Sequence, residues 1–249
     1  MRYFGMSDRG LIRKTNQDSY IIAANEAGDV FAMLCDGIGG NLGGDVASHT
    51  AIAYFSEVFA DNQGFEDARQ AKQWLQEHMK ICNEHIWKLG RRNPKYQGMG
   101  TTFCGVLMLK SCFLTVNIGD SRAYKESDDG QFQQMTVDHT LVADMLLHGE
   151  ITQKEAMTSP RKNVLTNALG VWQNVRCDIE THTEPIRKIL LCSDGLHGYV
   201  KESVIRKTVL DDAMDPSLKV RRLIKAALAA GGFDNVTVIL IDMKGETLQ

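Results

Sequence analysis

The chain has 249 residues, 43% of them hydrophobic and 24% charged, with only four prolines, a length and balance that allow a sizeable core and exclude disordered, collagen-like and fibrous classes. Its 28 basic and 31 acidic residues give a formal net charge of -3, so no general positive field exists to gather nucleic acid or anionic lipid. The six cysteines form no C-x-x-C pair and are expected to be reduced core residues, and the start MRYFGMSDRG lacks an apolar leader core, so a soluble cytoplasmic protein is expected.

In chain order, short apolar runs predict strands over 19–24 and 30–35, followed by a helix over 45–59 with Ile52, Phe55, Val58 and Phe59 on one side. Next, Ala68, Ala71, Leu75, Met79, Cys82, Ile86 and Leu89 recur at steps of three and four, one face of a helix over 67–89. Trp74 and Trp87 lie near that stripe and are expected to pack in the core. Further strands are predicted over 102–109, 112–118, 175–182, 188–192 and 236–242, and a helix over 216–230 opens on Pro216 and stops at Gly231-Gly232. Several strands are apolar through most of their length, which predicts burial on both faces under covering helices. Strict β-α alternation is absent, so the expected class is α+β layers in a single domain spanning 1–249.

Three apolar runs end directly in an aspartate: FAMLCD at Asp36, FLTVNIGD at Asp120 and ILLCSD at Asp194. A fourth, Asp234, stands just before VTVILI. Singly, each fits turn chemistry. As a set at the ends of neighbouring strands they would crowd one rim, where bare carboxylates repel and a divalent cation with oxygen ligands relieves the repulsion. Zinc is not indicated, because there is no H-E-x-x-H and no Cys-His spacing. The glycine-rich stretch DGIGGNLGGD fails both nucleotide patterns: Leu42 stands where G-x-G-x-x-G needs glycine, and Asp45 where the Walker pattern needs lysine.

Eight elements then follow one another in a familiar order. They are Arg13-Lys14-Thr15-Asn16-Gln17-Asp18, Asp36-Gly37-Ile38-Gly39-Gly40, Gly100-Thr101-Thr102, Gly119-Asp120-Ser121-Arg122-Ala123-Tyr124, Thr136-Val137-Asp138-His139-Thr140, NVLTNALG from Asn163, Ser193-Asp194-Gly195 and Asp234-Asn235-Val236-Thr237. This pattern resembles the metal-dependent protein phosphatases of the type 2C (PPM) family, in their bacterial form. The resemblance implies a four-layer α-β-β-α sandwich, two antiparallel sheets flanked by helices, with a flap-like segment over 139–171. It implies two Mn2+ or Mg2+ ions with a third possible. Asp36 would bridge two ions, the Gly37 carbonyl would bind one, Asp194 and Asp234 the other, and Asp120 would help Asp194 hold a third. Asp18 would orient a metal-bound water, and Arg13 would grip the substrate phosphate.

The implied reaction is hydrolysis of phosphoserine and phosphothreonine on proteins by a hydroxide bridging two metal ions, opposing a serine/threonine kinase. A monomer without nucleic-acid or membrane partners is expected. Two alternatives stand beside it: a phosphoprotein-binding regulator with little activity, and a phosphatase for small esters. Ile38 departs from eukaryotic members, which often carry a histidine there as candidate acid for the leaving group, and Gln17 stands where some members have an acid. His139 and His197 are expected to make structural hydrogen bonds, and Arg161-Lys162 to be solvated surface.

Overall fold

Three layers of apolar side chains show how the chain is stacked in the computed structural model, which describes residues 1–39 and 43–243. The third strand, β3 (Val30–Ile38), illustrates the principle. Its odd-numbered Phe31, Met33 and Cys35 join one core cluster and its even-numbered Val30, Ala32 and Leu34 another, because successive side chains of a strand point to opposite faces.

Sheet one runs in the order β1 (Arg2–Asp8), β11 (Val236–Asp242), β10 (Ile186–Cys192), β7 (Arg122–Ser127), β8 (Phe132–Gln134). Sheet two runs β2 (Asp18–Ala24), β3, β5 (Phe103–Met108), β6 (Phe113–Ile118), β9 (Asp178–His182), with the two-residue β4 (Gly100–Thr101) pairing the end of β3. Every pairing is antiparallel. The inner faces meet through Ala32, Leu34, Val106, Ile189, Leu191 and Ile239.

Outside sheet two lie α1 (Gly44–Ala60) and α2 (Ala68–Arg92). There Phe31 meets Phe55 and Phe59 edge-on, with centroids 6.1 and 5.6 Å apart, and Trp74 packs on Phe55, Phe59 and Phe65. The α2 periodicity becomes a buried stripe of Ala71, Leu75, Met79, Cys82 and Ile86, and Asp67 caps its first turn by accepting from the Gln70 amide at 2.8 Å.

Outside sheet one lie α5 (Asp194–His197), α6 (Glu202–Leu210) and α7 (Pro216–Ala229), packed on Leu190, Val238 and Leu240. Pro216 stands in the first turn of α7, where its missing N–H costs nothing, behind the Asp215 cap. The expected α+β sandwich of two antiparallel sheets between helix layers is therefore observed. All six cysteines are free, five of them buried. No helix among the described residues is long and apolar enough to cross a membrane.

The expected elements fall close to their observed bounds, except that 175–182 forms a strand only from Asp178. Sequence periodicity missed β1, β4, β7, β8, the helices α5 and α6, and the short helices α3 (Leu141–Leu147) and α4 (Gln153–Thr158). β1 and β7 mix polar with apolar residues and are strands because β11 and β10 pair with them along their length, the second ladder with one register shift between Ile186 and Lys188. α3 buries no residue and α4 only Ala156, so neither writes an apolar stripe.

One buried group stands apart. Lys219 on α7 is fully enclosed, its Nζ donates to the Val209 carbonyl at 2.7 Å, and burial pushes its pKa down to about 8. By contrast, buried Lys188 donates to Glu126 and Asp212, each at 2.6 Å. Because the folded pKa of Lys219 lies below the unfolded one, folding at pH 7 opposes its charge, and that cost fades as pH rises through the ordinary lysine range. Lys219→Met is expected to raise unfolding free energy at pH 7 by about 1–4 kcal/mol, measured by urea denaturation, with a smaller gain above pH 10.

Candidate active site

The acids do not share one sheet's rim, as strand-end reasoning expects. Asp36 lies in β3 and Asp120 follows β6, both of sheet two, whereas Asp194 follows β10 and Asp234 precedes β11, both of sheet one. They meet because antiparallel β10 and β11 place the end of one beside the start of the other, with Cys192 opposite Val238. The two sheets then bring their acid-bearing ends to the same side of the sandwich. Asp18, at the start of β2, is the cross-strand partner of Asp36.

Asp36, Asp120, Asp194 and Asp234 line a cavity of about 500 Å3 together with Arg13, Lys14, Gly37, Ile38, Asn163 and Leu165, and Asp18 lies buried behind Asp36. A second cavity of about 450 Å3, beside Trp87, Arg91 and Gly170, is lined by no acid and by no candidate residue. The chemistry therefore belongs to the first. Gly40 of the Asp-Gly-Ile-Gly-Gly element lies outside the described residues.

Local bonding explains the placement. Thr102 Oγ1 accepts from the Asp36 amide at 2.9 Å and bonds the Ser121 hydroxyl at 2.8 Å, tying β3 to the Asp120 turn. Gly119 has φ of +100°, and a Cβ there would press on Thr102, so only glycine makes this turn without strain. A Cβ on Gly37 would meet the Gly44 carbonyl, which keeps position 37 open to close backbone approach.

Asn235 holds the Arg13 loop: its Nδ2 donates to the carbonyls of Arg9 and Thr15 at 2.8 and 2.9 Å, and its Oδ1 accepts from the Gln17 amide at 2.8 Å. Asp18 Oδ2 accepts from Ser193 at 2.9 Å and from Thr237 at 2.6 Å. Thr102, Ser193, Asn235 and Thr237 were visible only as members of motifs. Their supporting bonds come from residues up to 226 positions away in the chain, and no local pattern announces such a bond.

Both histidines act as expected from sequence. Buried His139 bonds the Gly119 amide and Asn167 through Nδ1, at 3.2 and 2.7 Å, and Asp178 through Nε2 at 2.9 Å. His197 Nε2 donates to the Asp120 carbonyl at 2.9 Å, and burial holds its pKa down at about 3, so it is a neutral donor. The segment 139–171 is closed at its base by a Thr140–Leu165 bridge and the Thr166 amide bonded to the His139 carbonyl. It contributes Asn163 and Leu165 to the cavity wall.

Four carboxylates share this space with one guanidinium, and Asp18 is buried beside them. Arg13 Nη2 donates to Asp234 Oδ2 at 2.7 Å while half of its side chain stays exposed. Burial, reinforced by neighbouring aspartates, raises the Asp18 pKa to about 7, that of Asp120 to about 8 and that of Asp194 to about 6, and holds Asp36 well above the carboxylate range. Of the three buried side-chain oxygens without a hydrogen-bond partner among the described residues, two are Asp18 Oδ1 and Asp194 Oδ1. Unpaired, mutually repelling carboxylate oxygens on an open cavity are hard ligands suited to a divalent cation. Among the described residues no group of three or more His, Cys, Asp or Glu side chains is placed to hold a metal ion by itself. The fit is therefore to ions that keep carbonyl and water ligands alongside a few carboxylates.

The pH dependence follows from the raised values. A carboxyl whose folded pKa exceeds its unfolded value stabilises the fold at low pH, and that contribution is lost as pH rises through the folded pKa. His139 and His197, with lowered values, act oppositely around the ordinary histidine pKa. Metal-free protein thus carries growing repulsion in the cavity as pH rises from 6 to 8, which a cation bound there would remove. The gain in Tm on adding manganese is expected to widen over that range, read by scanning calorimetry at matched ionic strength.

A protein phosphatase 2C family model matches residues 13–229. The serine/threonine phosphatase stp of Listeria welshimeri is 35% identical over 239 residues, 95% of this chain and 93% of its own. Protein phosphatase PhpP of Streptococcus pneumoniae is 33% identical over 97% of each chain. Among solved structures, serine/threonine phosphatase Stp1 from Staphylococcus aureus superposes with a TM-score of 0.91 at 32% identity, covering 98% of this chain and 95% of that one. The serine/threonine phosphatase PstP/Ppp of Mycobacterium tuberculosis gives 0.85 at 33% identity over 97% of each. Sequence and fold agree nearly end to end, and the chain belongs to the protein phosphatase 2C family of metal-dependent phosphatases.

Proposed function

We propose that this member hydrolyses phosphoserine and phosphothreonine on proteins with manganese or magnesium bound by Asp36, the Gly37 carbonyl, Asp194 and Asp234, and with a weaker third site at Asp120 and Asp194. The observation that carries this reading is the convergence of four carboxylates from two sheets on an open cavity beside one arginine, with a fifth, Asp18, buried against Asp36 and an unpartnered buried oxygen on both Asp18 and Asp194. Divalent cations in such a site make hydroxide available near neutral pH and screen charge on the phosphoryl oxygens.

The chain's own residues supply position. Arg13 offers planar N–H donors, one now on Asp234, that can take two phosphoryl oxygens and hold phosphorus in line for attack. Asp18, fixed through Oδ2 by Ser193 and Thr237, accepts from the attacking water at Oδ1 and orients it. The water gives up one proton to solvent as its oxygen bonds to phosphorus, the ester P–O bond breaks, and the serine or threonine alkoxide takes a proton from the solvent side of the cavity, because Ile38 has none to give. A cytoplasmic monomer opposing a serine/threonine kinase, with the segment 139–171 as a flap, completes the proposal.

The test is phosphate release from a phosphothreonine peptide by purified protein with manganese and after chelation. Release only with manganese is the expected result. A folded protein that releases none in either condition, yet binds the peptide, would be a phosphoprotein-binding relative instead.

A further inference from the structure

Four large apolar side chains stand exposed together on one side of the acid cavity: Leu11 at 64%, Ile12 at 65%, Tyr199 at 37% and Phe233 at 51% of full exposure. Single exposed apolar residues are ordinary, but these four are held as a group. The amides of Leu11 and Ile12 both donate to the Gly232 carbonyl, at 2.8 and 3.2 Å. Gly232 sits against Leu11, Gly231 lies under the Phe233 ring, and Phe233 packs on Tyr199 with centroids 5.5 Å apart. The Asn235 side chain pins both ends of the loop that carries Leu11 and Ile12.

The group adjoins the reaction centre directly. Ile12 lines the cavity next to Arg13, Phe233 precedes Asp234, and Tyr199 lies close enough to Asp194, Asp234 and Arg13 for their charges to act on its hydroxyl. A preorganised apolar surface continuous with a phosphate site suits a substrate side chain, since ordering it costs little on binding.

We propose that Leu11, Ile12, Tyr199 and Phe233 form a specificity shelf that receives a bulky apolar side chain of the substrate within about three residues of the phosphorylated serine or threonine, a reach set by ~3.3 Å per extended residue. This rests on the phosphoprotein reading above and adds the class of sequence it favours.

The experiment compares two phosphothreonine peptides, one with phenylalanine at the second and third positions on both sides and one with serine there, on manganese-loaded protein. The phenylalanine peptide is expected to show kcat/KM about tenfold higher, about 1.4 kcal/mol. In Leu11→Ser/Phe233→Ser the ratio is expected to fall towards one, with the serine peptide as internal reference. Equal kcat/KM for both peptides on the unmodified protein overturns the shelf and leaves the phosphatase reading standing, as does a ratio that survives the double substitution. If neither peptide releases phosphate nor inhibits hydrolysis of para-nitrophenyl phosphate, both readings fall. Sedimentation tests the competing occupant: a dimer dissolved by the double substitution, with unchanged selectivity, would make the shelf a self-interface and overturn the proposal.

Discussion

Asp194→Asn is expected to lower manganese-dependent phosphate release by on the order of 10³-fold, because a cation bound as proposed would supply several kcal/mol of transition-state stabilisation and would lose a ligand here. The same change is expected to leave the metal-free fold as stable as before, or more so. Asp194 Oδ1 is buried without a partner, and the carboxylate feels Asp234 as a like charge, so folding currently tolerates repulsion that asparagine removes. Phosphate-release kinetics and metal-free melting, measured on the same preparation, separate the two effects. Full activity in the variant would remove Asp194 from the proposed ligand set, and a large fall in metal-free Tm would make the residue structural.

Arg13→Ala is expected to reduce kcat/KM for a phosphopeptide by on the order of 10²-fold, largely by misplacing the phosphoryl group. Manganese affinity, read from the shift in Tm, is expected to hold or tighten, because Asp234 Oδ2 loses its arginine partner at 2.7 Å and becomes free for a cation. Arg13→Lys keeps the charge but not the planar pair of donors, so it should recover only part of the loss. Unchanged turnover in Arg13→Ala would mean that this arginine serves only to neutralise Asp234.

Much of the architecture was legible. The three-and-four spacing between Ala68 and Leu89 became the buried stripe of α2, and the continuous apolar runs around Phe31, Val106 and Leu190 became strands covered on both faces. β1 was not legible, because RYFGMSD alternates weakly and leaves Arg2 and Tyr3 exposed. It is a strand because β11 pairs with it over seven residues. α3 and α4 were hidden for a related reason, since helices that bury almost nothing leave no periodic trace.

The candidate site divides in the same way. The identities of Asp36, Asp120, Asp194 and Asp234, their places at the ends of apolar runs, and the family pattern with Arg13 and Asp18 were fixed by sequence alone, because strand ends and glycine-assisted turns are local properties of the chain. Which acids meet was decided only by tertiary structure: two sheets had to stack before Asp36 and Asp120 could face Asp194 and Asp234. The Asn235 clamp on the Arg13 loop, the Ser193 and Thr237 bonds to Asp18, and the raised carboxyl pKa values also arise at that stage. Hydrogen bonds across more than 200 residues and the burial of like charges depend on distance in space, and a sequence orders residues only along the chain.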